Sequence, residues 1–229
     1  YRGGGLRGVP RGQVKKLRLL TYDFSYQGVG GLLGVVGADG PWDVERVLGE
    51  YEIDTVFHLA AVISIDGDRH GLVAATNVDG ARNAAEAALA CGVRRLVHCS
   101  SIHGFEQNGP AATVVESTPR AFSARHAYDR SKAAGERAVR EVAARGLDAV
   151  IVHPTAVIGP FDFEPSRMGR VLLDLYRRRL PSLVPGGFDW VDVRDVVAGL
   201  LGAETHGRPH ESYLLSGRYA SLAELAGLA

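Results

Sequence analysis

The sequence predicts an α/β fold, a doubly wound parallel sheet with helices on both faces. From about residue 35 onward, short apolar runs alternate with longer stretches of helical periodicity. Three of the runs, 55–60, 96–100 and 149–154, are apolar on both faces, as strands sandwiched between helix layers must be. Each of these strands also ends in polar or special residues: His58 ahead of Ala60 and Ala61, then Ser100 with Ser101, then His153 with Pro154 and Thr155.

In chain order, residues 1–14 are rich in glycine and arginine, show little periodicity and are read as a poorly structured segment. Only 16–24 resembles a strand in the first 34 residues. Helices are expected over 42–51, 77–90 and 131–144, where apolar or alanine positions recur three and four apart with charged residues outside. Gly92 closes the second of these. Beyond Pro160 the pattern loosens into a helix over 168–179, a turn-rich stretch at 181–187, a segment at 191–201, a strand at 213–216 and a short helical pattern from Ser221.

An apolar share of 46% in 229 residues suffices for one sizeable core. The 26 basic and 26 acidic residues cancel, which argues against a dedicated nucleic-acid binder. Arg94 and Arg95, and the run Arg177, Arg178 and Arg179, then read as solvated helix ends. No window offers the roughly 18 apolar residues of a membrane helix, and the N-terminus lacks a signal-peptide pattern. A cytoplasmic protein without a membrane partner is expected. Cys91 and Cys99 lie in apolar stretches without metal or redox spacing, so they are expected to be buried thiols, and no metal is implied.

In open α/β sheets the ligand crevice lies beyond the carboxyl ends of the strands, so the three polar strand ends would line one site. Any one of them is equally well explained as the place where burial stops. Tyr128 and Lys132 stand four apart at the start of a helical stretch and would share a face. A phenol with a pKa near 10 is a poor proton donor or acceptor at neutral pH. An ammonium about 4 Å away contributes on the order of 4 kcal/mol at an effective dielectric near 20, enough to lower that pKa by up to about three units. General acid–base catalysis by such a group is worth roughly 10² to 10⁴-fold. Alone, the pair equally describes a surface tyrosine beside a solvated lysine.

The surroundings of the pair carry a resemblance. The strings His58-Leu59-Ala60-Ala61, Thr76-Asn77-Val78-Asp79-Gly80, Val97-His98-Cys99-Ser100-Ser101-Ile102-His103, Tyr128-Asp129-Arg130-Ser131-Lys132 and His153-Pro154-Thr155-Ala156-Val157-Ile158-Gly159-Pro160 resemble the extended short-chain dehydrogenase/reductases, the NAD-dependent epimerase/dehydratases. The flavour is that of dihydroflavonol-reductase-like and 3β-hydroxysteroid-dehydrogenase-like members, over about residues 35 to 227. The resemblance implies a Rossmann-like fold, with 15–160 as the dinucleotide-binding domain and 161–229 as the rest of the sheet with a small, incomplete C-terminal substrate-binding part. It implies NAD or NADP as cofactor and a small-molecule substrate, and leaves a homodimer open.

By position, the resemblance makes Tyr128 the catalytic acid or base, Lys132 the group that lowers its pKa and holds the nicotinamide ribose, and Ser101 the partner of the substrate oxygen. Ser100 is the alternative if the register slips by one. Asp39 matches an acidic residue by the adenine ring, and Leu59, Ala60 and Ala61 match neighbours of the cofactor. Asn77 is either a cofactor contact or a helix-start residue. Pro154, Thr155 and Val157 match the segment that meets the carboxamide, while Ile102, His103 and the loop after them face the substrate.

Two departures stand out. Gly28, Gly31 and Gly34 have the spacing of the family's phosphate-binding turn, whose glycines let a pyrophosphate approach backbone N–H groups. Only four residues separate Gly34 from Asp39, where the family inserts a helix and a second strand. Either the first crossover is shortened or the glycine match is accidental. At the other end, the family continues well beyond the helical pattern that begins at Ser221. The expected function is hydride transfer between a nicotinamide cofactor and a secondary alcohol or ketone. A nucleotide-sugar epimerase or dehydratase with retained NAD, and a non-catalytic dinucleotide-binding protein, are the alternatives.

Overall fold

A computed structural model describes residues 18–21, 42–64, 67–107, 113–163 and 165–228. In chain order they form β1 (Arg18–Thr21), α1 (Trp42–Glu50), β2 (Thr55–His58), α2, β3 (Arg95–Cys99), α3 (Ala127–Ala143), β4 (Ala149–Pro154), β5 (Ala156–Ile158), α4 (Arg167–Tyr176), β6 (Gly187–Asp192), α5 (Val193–His206), β7 (Ser212–Leu215), β8 (Arg218–Ser221) and α6 (Leu222–Leu228). Helix α2 runs from Leu72–Ala74 through a π-helical turn, Ala75–Asp79, into Gly80–Ala90.

The main sheet has the order β1-β2-β3-β4-β7 with every neighbouring pair parallel, so all its carboxyl ends lie along one edge. Helices cover both faces. On one, Val56, Leu96 and Ile151 pack against Val44 and Leu48 of α1, Ala81, Ala85 and Ala88 of α2, and Val139 and Val142 of α3. On the other, Phe57, Val97, Val150 and Val152 meet Val196, Leu200 and Ala203 of α5. This is the doubly wound arrangement that the two-sided apolar runs imply, and β2 and β4 are buried throughout.

Helices α2 and α3 approach closely because small residues line their seam. A Cβ added at Gly135 would lie 2.1 Å from the Asn77 carbonyl oxygen, so any side chain there forces the two helices apart.

A second, three-stranded sheet, β5-β6-β8, was not expected from the sequence. Its strands are short and mix buried with exposed positions, so they leave no clean period. Of the segment read at 191–201, Val191 and Asp192 finish β6, and the helix begins at Val193. Helix α3 begins at Ala127, four residues earlier than expected, which places Tyr128 in its first turn.

Three surface readings need correction. Cys91 is exposed at the end of α2, because the chain turns outward there; Cys99 is half-buried. Arg95 opens β3 rather than ending a helix. It is buried, paired with Asp148 at 2.7 Å and donating to the carbonyls of Ala203 and Glu204 at 3.2 and 2.9 Å. Arg94 pairs with Glu204 and donates to Thr55 Oγ1 at 2.8 Å. These cations fasten β3 to α5 and to the loop before β4. The arginines at 177–179 are exposed beyond α4, as expected. Among the described residues no helix is long and apolar enough to cross a membrane.

Candidate active site

Strand β3 delivers the first part of the site. Its last ladder bond runs from Ser100 N–H to the Val152 carbonyl at 2.8 Å, after which Ser101 is extended and caps a short turn, Ile102–Gly104. The Ser101 hydroxyl accepts from His103 N–H at 3.2 Å and lies beside the Tyr128 phenol, whose pKa it lowers. The serine therefore sits at the same sheet edge as the tyrosine, as the strand-end argument requires.

Helix α3 delivers the rest. Tyr128 and Lys132 lie on one face, and Lys132 Nζ donates to the Cys99 carbonyl at 3.0 Å. An ammonium has three N–H groups, and among the described residues only one has an acceptor. The first turn is held by Ser131, whose hydroxyl donates to the Tyr128 carbonyl at 2.6 Å and accepts from Asn77 Nδ2 at 2.9 Å. His103 lies edge-on to the Tyr128 ring, 5.7 Å between centroids, and its Nδ1 is 3.1 Å from Asp129.

The electrostatics differ from the sequence expectation in one respect. Burial pushes the Tyr128 phenol up to about 12, and the Ser101 hydrogen bond only partly opposes it. Lys132 is not among the groups that shift it; the ammonium lies on the Cys99 carbonyl, and burial lowers the pKa of Lys132 itself. At neutral pH the phenol is thus firmly protonated.

Asn77 works through the backbone. Its Oδ1 accepts from Val62 N–H at 2.7 Å and its Nδ2 donates to the Val62 carbonyl at 2.9 Å as well as to Ser131, so both amide hydrogens are spent within the protein. It clamps the segment that carries Leu59, Ala60 and Ala61 onto α3, and sits in the π-helical turn, a feature often found at functional sites. Pro154 ends β4; Thr155 donates to Asp189 at 2.7 Å, and Val157 is exposed. Ile102 is half-buried beside Ser101. Gly28, Gly31, Gly34 and Asp39 lie outside the described residues.

Sequence reasoning missed a buried ionic cluster one turn beyond Lys132. Glu136 accepts from Arg120 at 2.8 Å and from Arg140 at 3.0 Å. Burial pushes its carboxyl up, but the Arg120 hydrogen bond and the neighbouring positive charges prevail and hold it below the ordinary range. The guanidinium of Arg120 also lies 4.1 Å over the Phe105 ring, and its bond to Glu136 ties the loop before α3 to the helix. The four-residue spacing of Tyr128, Lys132, Glu136 and Arg140 is the signal that could have revealed it.

A nicotinamide nucleotide fits this edge on the chain's own terms. Among the described residues Ser100 Oγ, His58 Nε2 and Thr76 Oγ1 are buried without a hydrogen-bond partner, and Lys132 has N–H groups that none of them accepts. Unmet hydrogen-bonding capacity gathered at the carboxyl edge of a parallel sheet is what ribose hydroxyls and a carboxamide require.

Comparison with known proteins agrees. The model of the NAD dependent epimerase/dehydratase family matches residues 37–216. Sterol demethylase protein B of Methylococcus capsulatus is 41% identical over 174 residues, covering 76% of this chain and 53% of that protein. A Synechocystis protein named for dihydroflavonol 4-reductase is 34% identical over 186 residues, covering 76% of this chain and 54% of that one. The crystal structure of gox2253 superposes with a TM-score of 0.78 at 29% identity, over 93% of this chain and 66% of that one. The chain thus spans about half the length of the curated relatives it matches.

Proposed function

The chain belongs to the NAD-dependent epimerase/dehydratase family, and on that premise we propose that it transfers a hydride between NAD or NADP and a secondary alcohol or ketone, with Tyr128 as the acid or base. One observation carries the reading: Ser101 at the end of β3 lies beside the Tyr128 phenol and acts on its pKa, with the Lys132 ammonium one helical turn away.

The bound nicotinamide supplies the redox chemistry, giving or taking the hydride at the substrate carbon. The protein handles the oxygen. The Ser101 hydroxyl accepts from His103 N–H through its oxygen, and its hydrogen turns from the Tyr128 phenol to a substrate oxygen that binds between them. In the reducing direction Tyr128 gives that oxygen its proton, and the O–H electron pair stays on the phenolate. Burial supports this direction, because it keeps the phenol protonated at neutral pH. The N–H groups of Lys132 that no described residue accepts are available to the ribose hydroxyls. The relatives' names, sterol demethylase and dihydroflavonol 4-reductase, favour a polycyclic alcohol or ketone as substrate. The exposed side chains of Ile63 and Val157, just beyond β2 and β4, provide apolar surface for one.

Fluorescence titration with NADH and NADPH, then turnover on a panel of sterol and flavanone alcohols and ketones with nucleotide sugars as controls, tests the reading. Tyr128→Phe should lose at least about 10²-fold in turnover with little change in cofactor affinity, whereas Lys132→Met should lose both. Full activity in Tyr128→Phe overturns the mechanism.

A further inference from the structure

We infer that His153 is a positioning residue for the site: its ring grips the Ser101 peptide through Nδ1–H and so sets the direction of the hydroxyl that meets Tyr128. This rests on the roles given above to Ser101 and Tyr128.

His153 lies on β4 with 0% of its surface exposed, and its ring packs 4.6 Å from that of Phe105. Nδ1 is 3.3 Å from the Ser101 carbonyl oxygen, and Nε2 is 3.2 Å from Ser212 Oγ. A carbonyl only accepts, so the hydrogen sits on Nδ1 and Nε2 presents a lone pair. Ser212 supplies the matching donor. Its oxygen already accepts from Arg140 at 2.7 Å and from Arg120 at 3.4 Å, so both lone pairs are taken and its hydrogen is left for the ring. The Glu136 carboxylate is 3.6 Å from Nε2, but it is engaged by Arg120 and Arg140 and does not draw the proton across. Burial, the largest influence on His153, lowers it to about 4, in keeping with a neutral ring of fixed tautomer.

The Ser101 carbonyl has one other donor, Gly104 N–H at 2.9 Å. That bond closes the turn on itself, and Ala121 N–H, donating to the Gly104 carbonyl at 2.9 Å, ties the turn to the loop before α3 and not to the sheet. Beyond the last ladder bond, at Ser100, His153 is the side chain that fastens the turn to the sheet. The Arg120–Glu136–Arg140–Ser212 cluster thereby acquires a purpose: it fixes the tautomer that holds the serine.

Three variants and two readouts test this. Asparagine places an N–H where Nδ1–H stands, glutamine places one nearer Nε2, and phenylalanine keeps the ring without a donor. On a substrate that the parent turns over, His153→Phe and His153→Gln should lose about tenfold to 10²-fold in kcat with NADH affinity unchanged, and His153→Asn should recover most of it. Equal losses in Asn and Phe, or none in Phe, overturn the proposal; if the Phe variant does not fold, the Asn and Gln pair decides. The second readout needs no turnover. In ring-¹⁵N spectra of the parent, His153 should carry its proton on Nδ1. The ¹³Cζ resonance of Tyr128, assigned with Tyr128→Phe, should move in the Gln and Phe variants and stay in the Asn variant. An Nε2–H tautomer, or an unmoved Tyr128 resonance in all three, refutes the positioning role. A parent without turnover on the panel refutes only the proposed reaction.

Discussion

The two ends of the main sheet treat buried polarity in opposite ways. At the amino end, Arg95, Asp148, Arg94, Thr55 and Glu204 bond one another and the carbonyls at the end of α5. At the carboxyl end, His58 Nε2, Ser100 Oγ and Thr76 Oγ1 have no partner. One oxygen of Asp148 is also without one, but its carboxylate takes two N–H groups of Arg95 through the other. Each unmet buried group costs about 1–3 kcal/mol. A fold can retain such costs where a ligand recovers them, so the contrast marks the carboxyl end as the candidate binding end.

The sharpest way to break the comparison is acid. His58, His98 and His153 are buried on the α2–α3 face of the sheet, with His58 and His98 stacked across neighbouring strands at 5.1 Å. Burial, foremost, lowers His58 to about 3, His153 to about 4 and His98 well below the ordinary range. The unfolded chain therefore binds protons below about pH 6.5 that the folded chain refuses, so their stabilising contribution is full above that pH and is lost as pH falls through it. At pH 5.5 each costs on the order of 1 kcal/mol, or a few kcal/mol together, relative to pH 7.5. Urea unfolding at the two values measures this; equal stability at both would show that the histidines are not buried neutral.

Next in size is Arg95→Met. It should cost about 2–3 kcal/mol of stability by orphaning Asp148 and two carbonyls, while turnover per folded molecule and cofactor affinity stay unchanged. A loss of cofactor affinity would show that the amino end is not merely a fastening. The smallest effect is expected for Ser100→Ala. Removing a buried hydroxyl without a partner should leave stability unchanged or raise it by up to about 1 kcal/mol, and weaken NADH binding if the cofactor uses that oxygen. Clear destabilisation would mean that Ser100 is a structural residue.

Much of this was legible in the chain. The apolar runs that became β2, β3 and β4, and the helices between them, follow from local periodicity, and their polar ends lie along one edge of the sheet. Tyr128 and Lys132 share a face because four residues are about one helical turn. The second sheet was not legible, since Phe188 is exposed and Trp190 buried only because β6 lies between β5 and β8. Nor was the state of the phenol. A nearby lysine argues for a lowered pKa, and the fold instead ties that lysine to Cys99 and buries the ring.

The sequence by itself determined the order of elements, the two-sided burial of the central strands and the spacing of the serine, tyrosine and lysine, because these depend on neighbours a few positions apart. Only the tertiary structure decided which buried polar groups are paired. Arg95 meets Asp148 across 53 residues, and His153 reaches Ser101 across 52. Such pairings arise when separate strands and helices close on one core, and a hydrogen bond between distant residues leaves no period in the chain to be read.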